Sequence, residues 1–82
     1  MLKEFINALE DILGTDISED DSIFVTHAFN WTMIAASAET ADEAGFSGRY
    51  VSPAAYVQWW KNNHGDRMPE LEYAGEGFVQ VF

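Results

Sequence analysis

Apolar residues at Leu2, Phe5, Ile6, Leu9, Ile12 and Leu13 recur with helical spacing, while Lys3, Glu4, Asn7, Glu10 and Asp11 take the other side. The pattern predicts an amphipathic helix over residues 2–13, ended by Gly14. A second helix is written between Ser52 and Gly65. Ser52 is a preferred N-cap, Pro53 suits the first helical position, and Gly65 falls where helices turn left-handed. Within it Tyr56, Trp59, Trp60 and Asn63 keep i, i+3, i+4, i+7 spacing, which gives one strongly aromatic face and marks this helix as the anchor of the core. After Pro69 the period changes. Glu70–Tyr73 and Phe78–Phe82 alternate around the turn Ala74-Gly75-Glu76-Gly77, the signature of a terminal β-hairpin with its last residue packed.

Between these elements the pattern is less decisive. Thr15–Ser22 reads as a polar, acidic connector. In the next stretch, Ile23-Phe24-Val25-Thr26 and Trp31-Thr32-Met33-Ile34 favour strands, with His27-Ala28-Phe29-Asn30 as a turn. Phe24, Ala28, Trp31, Ala35 and Ala38 fit a helix equally well, so periodicity leaves residues 22–36 open between strand and helix. A lone terminal hairpin would be marginal without further strands or a helix to cover it, which leans the reading towards strand. Thr40 and Glu43 have capping-box spacing, predicting a short helical turn to Ala44, and Gly45–Gly48 reads as a loop with Phe46 plugged beneath it. The fold expected is therefore α+β. One small domain spans residues 1–82, with an N-terminal helix, a central aromatic helix and a C-terminal antiparallel hairpin.

Composition sharpens this. At 82 residues the chain buries roughly 60–65% of its unfolded surface, which is thin. With no cysteine to staple it, its three Trp, three Tyr and six Phe must supply the core. The missing cysteines also exclude a disulfide framework and thiolate chemistry, and place the expected setting in a reducing cytoplasm. Charges interrupt the apolar pattern of residues 1–7, so it does not read as a signal peptide, and no apolar run is long enough to span a bilayer.

Charge changes the functional picture most. Fourteen acidic residues face four basic ones (Lys3, Arg49, Lys61, Arg67), for a net charge of −10. That sign excludes direct nucleic-acid binding and repels anionic membranes, which leaves basic surfaces or cations as partners. The plain alternative is that the charge serves solubility. Other chemistry is sparse in this chain. Asp16, Ser18, Asp20 and Ser22 alternate like the first ligands of a calcium loop, but Asp21 stands where glycine is needed and His27 where a bidentate glutamate is needed. Two histidines, His27 and His64, lack metal-ligand spacing, so no metal or cofactor is expected. His27 is the nearest approach to a catalytic base, flanked by Val25, Ala28 and Phe29, and reads as a core or edge residue. There is no nucleophile elbow and no phosphate-cradling glycine loop, and the chain does not read as an enzyme.

What remains is multivalent negative charge on a small scaffold. Carboxylates three or four apart on a helix sit about 5–6 Å from each other, comparable with the charge spacing of a nucleic-acid backbone. In size, charge and lack of catalytic motifs the chain resembles the small acidic inhibitors that phages and plasmids direct against host nucleic-acid enzymes, anti-CRISPR and anti-restriction proteins among them. The resemblance implies a module that occupies a basic nucleic-acid-binding surface as a mimic. Its expected contact residues are Glu10, Asp11, Asp16, Glu19, Asp20, Asp21, Glu39, Asp42 and Glu43. The competing expectation is a structural adaptor that docks on a partner, or on a second copy of itself, through an aromatic patch.

Overall fold

The computed structural model describes residues 1–28 and 31–82. In chain order the elements are α1 (Leu2–Leu13), β1 (Ile23–Ala28), β2 (Trp31–Ala35), α2 (Ala38–Glu43), β3 (Gly48–Val51), α3 (Pro53–His64), β4 (Leu71–Gly75) and β5 (Phe78–Val81). The strands form one antiparallel sheet in the order β3-β1-β2-β5-β4. The radius of gyration, 11.7 Å, equals what about 82 residues give when folded as one compact domain.

The α+β expectation holds, but the sheet, not α3, is the frame. Side chains alternate across it. Ile23, Val25, Ile34, Val79 and Val81 project to one face, where Phe5 and Leu9 of α1 and Tyr56, Val57 and Trp60 of α3 pack on them. Phe24, Met33, Ala35 and Phe78 project to the other, covered by Ala41 of α2 and by Phe46. Phe46 meets Phe78 edge-on at 5.6 Å, so it is the plug its loop position suggested. This two-sided burial explains why residues 23–35 resisted a period reading: a strand buried on both faces is apolar throughout. They are the hairpin β1–β2, paired from Phe24↔Ala35 to Ala28↔Trp31. His27 and Ala28, expected in the turn, are paired residues of β1, and the rest of that expected turn, positions 29–30, lies outside the described residues.

Both long helices begin and end as the sequence indicates. α1 stops at Gly14, whose N–H donates to Glu10 O at 2.8 Å. In α3 the Ser52 hydroxyl accepts from Ala55 N at 3.1 Å, and Gly65 N donates to Lys61 O at 2.9 Å. The two tryptophans of α3 part company. Trp60 is 4% exposed and Trp59 is 44% exposed, so the buried stripe is Tyr56, Val57 and Trp60.

Four local expectations are corrected. α2 is capped by Ser37, whose hydroxyl accepts from Thr40 N at 3.2 Å, three residues before the capping box would start it. Gly48, expected to close a loop, instead opens the edge strand β3, which continues through Arg49, Tyr50 and Val51. It is held by pairing with β1 and by the Thr26 hydroxyl, which donates to Ser47 O at 2.5 Å. The β4–β5 turn is tighter than four residues. Only Glu76 and Gly77 lie outside the ladder, at φ 55° and 88°, the double positive φ of a I′ turn, and a β-bulge precedes it between Tyr73 and Gly75. Finally, Val81 is buried but Phe82 is exposed. Phe82 is tied down by its backbone, which exchanges hydrogen bonds with Glu70, and not by its ring.

Candidate functional site

The acidic positions separate into two groups on opposite sides of the sheet. Glu10 and Asp11 sit near the C-terminal end of α1, and the loop that follows doubles back along the helix. Asp16 lines one depression with Glu10 and Asp11, while Glu19 lies further along, beside Leu2 and Ile6. Backbone amides hold this flank in place. Ile17 N donates to Glu10 Oε2 at 2.9 Å, Ser18 N donates to Asp21 Oδ2 at 2.7 Å, and Ala54 N in the first turn of α3 donates to Glu19 O at 3.3 Å. Asp11, Asp16, Glu19, Asp20 and Asp21 are exposed. Glu39, Asp42 and Glu43 are exposed on α2, which packs on the other sheet face. The structure therefore brings six of the nine residues together and sets three apart.

Almost none of this charge is neutralised within the chain. Among the described residues one ion pair occurs, between the Met1 ammonium and Glu4 at 2.9 Å. The hydrogen bond from that ammonium holds the Glu4 carboxyl below the usual carboxylate range. Of the four basic side chains, Arg67 lies over the Trp60 ring at 5.0 Å instead of meeting an acid, and Arg49 is on the far edge of the sheet. The Asp21 carboxylate caps its own loop, and His27 belongs to β1. Among the described residues no three His, Asp or Glu side chains gather where they could hold a metal ion.

The residues that sequence reading did not assemble form a cleft of about 640 Å³ between α3 and the β1–β3 edge of the sheet. The antiparallel register sets Val25 opposite Arg49, and alternation puts His27 and Val51 on that same face. From α3, one turn apart, Tyr56 and Trp59 close the other wall, their rings 5.9 Å apart. Val25 and Tyr56 are buried and form the floor; His27, Arg49 and Trp59 are exposed and form the rim. His27 is thus neither in the core nor loose, because the Thr32 hydroxyl meets its Nδ1 at 3.1 Å. Tyr56, 6% exposed, stacks on Phe5 at 5.4 Å, and its buried hydroxyl has no hydrogen-bond partner among the described residues. Burial pushes that phenol up to about 12. No spacing rule links positions 27, 49 and 56; the one available signal was that His27 interrupts an otherwise apolar strand.

Compared with protein-family models, curated proteins and solved structures, the chain matches none of them. No helix among the described residues is long and apolar enough to cross a membrane.

Proposed function

We propose that this protein is an acidic binding module that seats on the basic, nucleic-acid-binding surface of an enzyme and blocks it, in the manner of anti-CRISPR and anti-restriction inhibitors. The observation that carries the reading is the flank of α1 and its returning loop. There Glu10, Asp11, Asp16, Glu19, Asp20 and Asp21 stand without an ion pair among the described residues, although Lys3 lines the same depression as Glu19, and the carboxylates of two of the six, Glu10 and Asp21, accept from a backbone amide. Carboxylates held in place before contact lose little freedom on binding and steer association electrostatically. The α2 trio Glu39, Asp42 and Glu43 lies outside this footprint and serves solubility. The absence of cysteine suits a cytoplasmic encounter.

The test is capture of the partner from host lysate by the full chain at low and high salt, followed by affinity measurements on charge-reversal variants. Reversing Glu10 and Asp11, or Glu19, Asp20 and Asp21, should weaken binding by about tenfold or more, since each 1.4 kcal/mol is a factor of ten. Reversing Glu39, Asp42 and Glu43 should not, and nucleic acid should compete with the wild-type chain for the partner. Three variants that bind like wild type, with no effect of salt, would replace this reading with the adaptor. That second reading has one specific support: Trp31 and Tyr50, 53% and 58% exposed, stand on the sheet face that α2 covers only in part. In that event Trp31→Ala and Tyr50→Ala should abolish the interaction.

A further inference from the structure

We propose that the cleft between α3 and the β1–β3 edge binds a small aromatic carboxylate, with its ring against Trp59, Val25 and Val51 and its carboxylate at Arg49. The site is independent of the acidic flank. Ligand sites are concave, mostly apolar and of about 300–1,000 Å³, with a few convergent polar groups; a cleft of about 640 Å³ with this lining belongs to that class. Charge selects the ligand's sign. No carboxylate lines the cleft, whereas Arg49 does, and it has no acidic partner among the described residues. A guanidinium is charged at every working pH and offers a planar fork that fits a carboxylate. The net charge of −10 does not forbid this, because at physiological ionic strength exposed charges beyond about 8 Å are largely screened.

The walls select the ligand's body. The Trp59 indole stands half in water at the rim, where a flat ring can cover it, and Val25 and Val51 offer no polar competition. Tyr56 lines the floor, but its hydroxyl is out of reach of solvent and, among the described residues, has no hydrogen-bond partner, which is destabilising in the free protein. His27, fixed by Thr32, completes the rim beside Arg49.

The experiment is a ¹H–¹⁵N NMR titration of the full chain with three probes: indole-3-acetate, tryptamine (the same ring with an ammonium) and acetate (the same anion without a ring). Indole-3-acetate should shift the amides of Val25, His27, Arg49, Val51, Tyr56 and Trp59 in a saturable way. Tryptamine and acetate should each bind at least about tenfold more weakly, the scale of one charge-assisted hydrogen bond. Arg49→Gln should weaken indole-3-acetate by about tenfold, with Arg49→Lys in between. Tyr56→Phe separates ligand recognition from folding: it should raise the melting temperature of the free protein and leave the affinity for indole-3-acetate unchanged. Tryptamine binding as tightly as indole-3-acetate, shifts centred outside the cleft, no saturation at millimolar probe, or an Arg49→Gln protein that binds like wild type would each overturn the proposal.

Discussion

Trp59 and Trp60 are the same residue type at adjacent positions of one helix, and truncating each in turn isolates what burial contributes. Trp60 is 4% exposed, its indole N–H donates to Arg67 O at 2.5 Å, and its ring lies 4.0 Å from that of His64. Removing it deletes on the order of 200 Å² of contact, at about 25 cal/mol per Å², and leaves a cavity. Trp60→Ala should therefore cost about 4–5 kcal/mol, at the upper end for core tryptophans. The whole domain, at roughly 0.05–0.15 kcal/mol per residue, holds only about 4–12 kcal/mol, so this single change removes much of it. The melting temperature should fall by about 15–30 °C. Trp59, 44% exposed and touching Tyr56 and His64 only at ring distances near 6 Å, should cost about 1–2 kcal/mol when cut to alanine. Urea unfolding followed by far-UV circular dichroism reads both variants without relying on the fluorophore removed. Trp60→Phe keeps most of the ring and loses the N–H, so it should fall between them. Equal losses for Trp59→Ala and Trp60→Ala would refute the assignment of the inward face.

Two further perturbations probe the sheet. A Cβ on Gly48 would press into the Val25 carbonyl and the Phe24 ring, so Gly48→Ala should destabilise by about 1–3 kcal/mol and loosen β3; a lower urea midpoint with faster amide exchange at Tyr50 and Val51 is expected, and an unchanged midpoint would count against the close approach. Glu76 holds φ 55° at the β4–β5 turn, a conformation asparagine tolerates better, so Glu76→Asn should raise the melting temperature by a few degrees, worth roughly 0.5 kcal/mol; a drop would mean the glutamate makes a compensating contact.

Much of the fold was legible because it is written locally. The stripe from Leu2 to Leu13, the Ser52–Pro53 start and Gly65 end of α3, and the alternation around Glu76-Gly77 each act within a few residues. β3 was not legible. Gly48-Arg49-Tyr50-Val51 has a glycine where strands avoid one and only Val51 with an aliphatic side chain, and β1 alone makes it a strand. The acidic residues could be named from sequence but not sorted, since their division between α1 and α2 follows from which sheet face each helix covers. The cleft was invisible for a similar reason. His27, Arg49 and Tyr56 meet through strand register and through the angle at which α3 lies on the sheet, neither of which leaves a periodic trace.

The sheet order has a kinetic consequence. β1–β2 and β4–β5 each pair strands close in sequence, so both ladders can form on the microsecond scale. The seam between them, Thr32↔Val81 to Ala35↔Phe78, is closed further by Ala36 N donating to Gly77 O at 2.8 Å, and residues 36–77 intervene. Bringing the ends of so long a segment together costs about 3 kcal/mol of chain entropy before any pairing across the seam repays it. Neither hairpin is stable alone, so closing this long-range seam is the step expected to limit the folding rate. Ile34 and Val79, opposite each other at that seam and fully buried, are the pair whose truncation should slow folding most.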